Sequence, residues 1–367
     1  MKLADVCACE SSNLKQSDII NISGKYPVYG ATGKIGYIDT YKQEKPYIAI
    51  VKDGAGVGRT YLCDSKSSVI GTLQYILPKE NVLPEYLFYV IKHMHLEKYY
   101  SGATIPHIYF KNYKNEEFNL DSINNQETII NILNDCNKLI NLRETQLQKY
   151  DDLIKARFVE MFGDPQINEK GFIKAPMGEY LSVLTDFSSN GSYKTLDSGV
   201  TMYDEPSYAW MVRTTDLESG DMSAIKYIDK KAYELLLKSK IFGGEIIMNK
   251  IGSAGKIYLM PKPTMPASLG RNAFMFRFDE RINNVFIYYL LTSDYGQREI
   301  QQYVRGAVTK TITKDDARAV LIIEPPIKLQ KQFADFVQQV DKSKLAVQKS
   351  LEKTKLLFDS LMQEYFG

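Results

Sequence analysis

Histidine, cysteine and tryptophan are scarce in this chain: 367 residues hold 3, 4 and 1 of them. That shortage narrows the available chemistry. His93 and His95 stand two apart on a predicted helix, so they do not share a face and cannot form an i,i+4 metal pair. His107 follows a proline in a loop-like stretch. Cys7, Cys9, Cys63 and Cys136 fit neither a disulfide framework nor a zinc spacing, which points to a reducing cytoplasm. Long apolar runs are missing too. Stretches such as Tyr47–Val51 fall far short of the roughly 20 residues a membrane helix needs. Asp5 and Glu10 interrupt the start, where a signal peptide would be apolar. Nor does one sign of charge dominate: 46 basic residues face 44 acidic ones. Residues 1–125 carry 14 and 13, and residues 166–325 carry 20 and 19. This balance argues against coating nucleic acid by charge alone. Any DNA contact must concentrate its cations locally or borrow them from a partner.

An internal repeat is present. LIKARFVEMFG ends at Gly163 and LFDSLMQEYFG ends at Gly367, an offset of 204 residues. The same offset carries Gln126 onto Gln330 and Gly102-Ala103 onto Gly306-Ala307, while Lys52–Gly56 matches Lys250–Ala254 at an offset of 198. Neither Gly nor Pro occurs in residues 126–162 or 328–366. Alternate steps of four and three give Ile129, Leu133, Cys136, Ile140, Arg143, Leu147, Tyr150, Ile154, Arg157 and Met161 in the first stretch. The second gives Phe333, Val337, Val340, Lys344, Val347, Leu351, Thr354, Phe358, Leu361 and Tyr365. Only Arg143, Arg157, Lys344 and Thr354 break the apolar pattern, so each stretch reads as a coiled-coil helix of roughly 50 Å. Repeat symmetry predicts an antiparallel pair in which Ile129 faces Tyr365, Leu133 faces Leu361, Arg143 faces Leu351 and Lys344 faces Tyr150.

The remaining parts alternate strands with turns. In residues 1–125, strands are predicted at 47–51 and 69–77 and a helix at 85–100. In residues 166–325, strands are predicted at 209–214, 245–248, 256–260 and 273–278, with a helix from 285 to 291. Pro325-Pro326 launches the second long helix, and Gly163-Asp164-Pro165 ends the first. The chain is thus α+β: two α+β domains joined to two long helices packed as an antiparallel coiled coil, with a pseudo-twofold internal repeat.

Catalytic motifs fail on their chemistry. Asp53–Thr60 is Gly-rich, but a phosphate loop needs glycine where Asp53 stands and lysine where Arg59 stands, so a strand–turn–strand hairpin is the better reading. Glu324-Pro325-Pro326-Ile327 lacks both the amide and the aromatic that an adenine methyltransferase places there. No metal cluster or Ser/His/Asp grouping stands out. Basic and aromatic residues do interleave, with Lys98, Lys111 and Lys114 among Tyr99, Tyr100, Tyr109 and Tyr113. Residues 305–314 cluster hydroxyls and amines, and Arg213-Thr214-Thr215 and Arg271-Asn272 carry groups able to read base edges. The candidate DNA-contacting set is Lys34, Lys52, Arg59, His107, Lys111 and Lys114 in the first part. In the second part it is Arg213, Thr214, Thr215, Lys250, Arg271, Asn272, Lys310, Thr311 and Thr313. Helix–helix packing falls to Leu133, Ile140, Leu147, Ile154, Val337, Val340, Val347, Leu351 and Phe358.

The stretches Tyr29–Ile38, Asp53–Gly58 and Gly102–Pro106, then Trp210–Leu217, Gly306–Ile312 and Pro325-Pro326 leading into Gln330, together resemble the specificity (S) subunit of type I restriction–modification enzymes. The resemblance spans the chain. It implies a first target-recognition domain over 1–125, a spacer helix and linker over 126–165, a second target-recognition domain over 166–327 and a second spacer helix over 328–367. It further implies double-stranded DNA as ligand, one half-site of a bipartite asymmetric target per domain, and no catalysis by this chain. The expected partners are two methyltransferase (M) subunits and the restriction (R) subunits. Methyl donor, ATP and Mg are expected only in those partners, and no cofactor in this chain. Two rivals stand beside it: a self-contained nucleic-acid-modifying enzyme, and a tandem-repeat protein scaffold.

Overall fold

A strand that is apolar at every position must be covered on both faces. Tyr47–Val51 is such a strand, and in the computed structural model, which describes residues 1–20, 23–102 and 106–367, all five of its residues are buried. It pairs antiparallel with Thr60–Cys63 on one side and Leu73–Pro78 on the other, and Cys7–Ser11 completes the sheet. Ile48 and Ile50 face a cluster that includes Tyr86, Leu87 and Ile91 of the helix Pro84–His93. Tyr47, Ala49 and Val51 face the opposite way, toward Val28 and Val69 of a small sheet built from Tyr26–Gly30, Gly33–Ile38 and Ser68–Val69.

The second part repeats this plan. Ile246–Asn249 lies between Ile257–Leu259 and Ala273–Phe278, with Leu181–Asp186 at the far edge. Ile246 and Met248 pack toward Phe286, Ile287 and Leu290 of the helix Asn284–Thr292, while Ile247 faces a second cluster with Trp210 and Leu269. Strand order from the edge is the same in both sheets, and the paired residues Ile48↔Ile76 and Ile246↔Phe276 stand 198 and 200 residues apart. The second part adds a mixed sheet of Lys226–Ile228, Ala209–Val212, Ala267–Leu269 and Lys240–Ile241.

The long helices run Ile123–Phe162 and Ile327–Phe366, 40 residues each, or about 60 Å. Each starts slightly earlier than the repeat pattern indicates; the first turn takes in Asn124 and Asn125, and Gln126 N–H donates to Ser122 O. All twenty seam positions are buried or half-buried. Leu133, Ile154, Val337, Val340 and Phe358 are buried, and Ile140, Leu147, Val347 and Leu351 are half-buried.

The chain divides into two compact units, Met1–Leu147 with Ala346–Gly367, and Gln148–Leu345. In the first, Phe358 and Met362 pack with Ile129, Leu133 and Cys136, and Lys355 Nζ lies 2.7 Å from Glu144. In the second, Phe333, Val337 and Val340 pack with Ile154, Phe158 and Phe162. The pairing is therefore antiparallel within each unit. Arg143 donates to Thr354, one turn along the seam from Leu351, and Lys344 reaches Asp151 beside Tyr150.

Three local expectations are corrected. The strand expected at 69–77 is broken at Ile70–Thr72, because Ile70 N–H turns to Tyr29 O and Gly71 N–H to Leu14 O. The helix expected over 85–100 stops at His93; His95 takes a left-handed conformation (φ 50°), and a short 3-10 turn, Leu96–Tyr99, follows. The strand at 209 ends at Val212, since Arg213 opens the helix Thr214–Ser219.

Candidate nucleic-acid interface

In both units the turn of the central hairpin is zipped to a second, closed loop by the same main-chain bonds. Lys52 O accepts from Ile108 N–H at 2.9 Å, and Gly54 N–H donates to Pro106 O at 3.0 Å. Their counterparts are Ile312 N–H to Lys250 O at 3.1 Å and Gly252 N–H to Lys310 O at 2.9 Å. The loop is closed on itself by reciprocal bonds between Ser101 and His107 (2.9 and 2.7 Å) and between Arg305 and Thr311 (2.9 and 2.7 Å). The motif Gly102–Pro106 lies partly outside the described residues. Each hairpin turn ends on a glycine in the left-handed region, Gly58 and Gly255, both at φ +87°. A Cβ there would lie 2.9 Å from Glu97 N or 2.5 Å from Ile300 Cγ2, so the backbone approaches too closely for another residue.

The loop that opens the packed helix of each unit is fixed to the start of the long helix by one buried glutamine. Gln126 Oε1 accepts from Leu83 N–H at 2.9 Å, and its Nε2 donates to Asn81 O and Asp121 O. Gln330 Oε1 accepts from Asn283 N–H at 2.8 Å, and its Nε2 donates to Arg281 O and Pro325 O. Both side chains are fully buried. Every partner is a main-chain atom, so the clamp is indifferent to the side chains around it. The 204-residue offset already matches these two residues, but their role is visible only in three dimensions.

In the first unit the frame gathers Lys52, Arg59, His107 and Lys111. His107 Nδ1 lies 2.6 Å from Asp53 Oδ1, which orients the ring beside Tyr109, and Lys111 lies over the Tyr109 face at 5.3 Å. Tyr109 is half-exposed. Lys114 is exposed just beyond, after the short helix Phe110–Tyr113. Lys34 stands on the smaller sheet, over Tyr29 and Tyr37 and 3.8 Å from Asp64. Among the described residues, Lys52, Arg59, Lys111 and Lys114 form no ion pair.

In the second unit the frame gathers Lys250, Arg271, Asn272, Lys310, Thr311 and Thr313, but most of the charge is already matched. Lys250 Nζ lies 2.8 Å from Asp186, so it is not a free cation. Arg271 lies over Phe187 at 5.0 Å and 3.6 Å from Asp197. Arg213 is held by Asp216 through Nε (2.9 Å) and Nη2 (2.5 Å), and Trp210 Nε1 donates to the same carboxylate at 3.2 Å. It is a structural pair at a helix start, with Thr214 half-buried and Thr215 exposed beside it. Lys310, Thr311 and Thr313 are exposed, and Thr313 caps the helix Lys314–Ala319 through Asp316 N–H. Bonds from Thr313, with help from Arg305, hold the Asp316 carboxyl below its ordinary value.

Asp186, which the sequence pattern did not single out, belongs to this frame, and so does Lys314, which the sequence placed only within the hydroxyl- and amine-rich cluster of residues 305–314. The available signal was Asp186-Phe187-Ser188-Ser189, an N-cap pattern that the structure realises: Asp186 Oδ1 accepts from Ser189 N–H at 3.1 Å. Among the described residues no group of three or more His, Cys, Asp or Glu side chains is placed to hold a metal ion, and no helix is long and apolar enough to cross a membrane.

Comparisons with known proteins agree with this geometry. The chain is 25% identical over 316 residues to a type I restriction enzyme specificity subunit, MjaVIII, from Methanocaldococcus jannaschii, covering 80% of this chain and 72% of that protein. Its fold is similar to the crystal structure of a type I restriction–modification S subunit from M. genitalium, with a TM-score of 0.62 at 16% identity over 100% of this chain and 95% of the other. A second solved chain, from a structure addressing complex assembly and conformational transition of the type I R-M system, gives 0.54 at 14% identity over 100% and 96%. The family model for the type I restriction modification DNA specificity domain matches twice, over residues 1–149 and 174–356. With the match spanning nearly the whole chain in two copies, as the repeated frame requires, the chain belongs to the type I restriction–modification DNA specificity family.

Proposed function

We propose that this chain reads a bipartite, asymmetric DNA target, one half-site per unit, through the hairpin turn and closed loop of each. One observation carries the reading: the two frames share their main-chain bonds, while the side chains they present differ. A shared frame with unlike side chains suits two docking events of one geometry on two different sequences. The long helices serve as the spacer between half-sites. The chain is a DNA-recognition subunit, and methyl transfer and cleavage belong to its partners. Methyl donor, ATP and Mg would be bound by two M subunits and by R subunits in the cytoplasm, and base flipping would be the work of the M subunits.

Outside their seam the helices leave large apolar side chains exposed. Ile132, Leu139, Leu142, Leu356 and Leu357 do so in the first unit, and Leu153, Val159 and Leu345 in the second. Such ridges support docking of other subunits along the helices. Sequencing of modified bases in the host genome, with the gene intact and then deleted, tests the function. Loss of one bipartite methylated motif is the expected result. Unchanged methylation with the partner subunits expressed, or methyl transfer by the purified chain without partners, would overturn it.

A further inference from the structure

Lys52 and Lys250 hold the same place in the repeat, yet their surroundings differ. The main-chain N–H of Lys52 donates to Thr72 O and that of Lys250 to Asn272 O, both at 2.9 Å, and each carbonyl accepts from the closed loop. Lys52 forms no ion pair among the described residues. Lys250 Nζ lies 2.8 Å from Asp186 Oδ2, and Lys314 Nζ lies 2.8 Å from Asp186 Oδ1 and 2.7 Å from Ser189 Oγ. Ser188 and Ser189 hydroxyls each donate to the same carboxylate at 2.6 Å. Asp186 is 4% exposed, and it ends the edge strand opposite Phe274. The matching position in the first unit is Ser11, opposite Gln74, where no charge exists to recruit Lys52.

One buried carboxylate therefore ties three segments together: the end of the edge strand, the hairpin turn that Lys250 begins, and the helix that Lys314 opens after the closed loop. Two cations matched to it at hydrogen-bond distance, with hydroxyls filling the remaining lone pairs, satisfy what a buried charge requires. Between them lies the loop of residues 305–311, whose tip, Val308, is 98% exposed. A loop anchored at both flanks loses little conformational freedom on binding.

We propose that Asp186 is a positioning residue for DNA recognition by the second unit, holding Lys250 and Lys314 so that the turn and the closed loop keep one arrangement with or without DNA. Its two lysines are thereby withheld from phosphate contact. This rests on the DNA-reading function above, and the test separates the two.

The complex with methyltransferase subunits is assayed on a duplex carrying the methylated motif and on duplexes with either half-site replaced. Asp186→Asn lowers discrimination at the second half-site about tenfold and leaves the first at the wild-type level, and Asp186→Glu restores part of the loss. Lys314→Gln lowers second-half discrimination without changing the salt dependence of binding. A lysine that contacts phosphate would instead reduce the slope of log K against log salt by about 0.9. A reduced slope in Lys314→Gln overturns the proposal, as does full second-half discrimination in a folded Asp186→Asn chain. If Asp186→Asn fails to fold, the Lys314→Gln slope and discrimination decide alone. A wild-type complex that ignores both replacements refutes the DNA-reading function itself, a distinct result.

Discussion

Single residues set both the strength and the selectivity of the frame. Gln330→Leu keeps the volume but strips the partners from Asn283 N–H, Arg281 O and Pro325 O, all in a buried place. Orphaned groups of this kind cost about 2–3 kcal/mol in total where solvent enters partly. The expected result is faster hydrogen exchange at the Asn283 amide and a lower denaturation midpoint, with the exchange of Leu83 unchanged. Lys52→Gln acts on binding instead: with no ion pair to lose among the described residues, it should weaken DNA binding similarly across sequences and reduce the salt slope by about 0.9. Asp186 adds a pH dependence. Burial pushes its carboxyl up, but bonds from Lys250, Lys314, Ser188 and Ser189 outweigh that and hold it well below its ordinary 3.8. Its stabilising contribution is therefore present above that value and drains away as the pH falls below it. Trp210, the chain's one tryptophan, is 3% exposed in the second unit, so its fluorescence follows the loss of that unit's packing. Its fluorescence should change in acid, with a shallower pH dependence in Asp186→Asn.

Helices and strands obey more local rules, and there the sequence was most informative. Leu147 and Val347 both belong to the first unit, both are half-buried on the seam, and Arg143–Thr354 and Glu144–Lys355 fix the antiparallel sense close by. A Leu147→Cys, Val347→Cys chain should close a disulfide on mild oxidation, seen as a mobility shift on a non-reducing gel; a chain that stays open speaks against the pairing. This seam was legible because a 3.5-residue period is written in neighbouring residues. So was the sandwiched strand Tyr47–Val51, apolar throughout, and the hairpin at Asp53–Thr60, punctuated by glycine. What failed to show depended on partners far away in sequence. Val69–Leu77 has the pattern of one strand, yet Tyr29 and Leu14 carbonyls draw Ile70 and Gly71 out of the ladder. Lys250 and Arg213 look like free base or phosphate readers until Asp186 and Asp216 are seen beside them. Composition registers a cation; only the fold shows whether it is already spent.

At the level of the whole molecule, the main-chain character of the glutamine clamp has a consequence for exchange of parts. Gln126 holds Leu83, Asn81 and Asp121 by backbone atoms alone, so a different recognition sequence with the same backbone path can sit on the same helix. The first unit also draws its helix partner from Ala346–Gly367, which is retained when residues 1–125 are replaced. A chimera carrying residues 1–125 of another family member should therefore fold and assemble, and the host methylome should show a motif with one half changed and the other preserved. The second frame keeps its own turn, loop and Asp186 anchor, none of which lies in the exchanged segment. If both halves of the motif change together, the two frames do not read DNA independently. If neither changes, recognition does not reside in the turn and loop of the first unit.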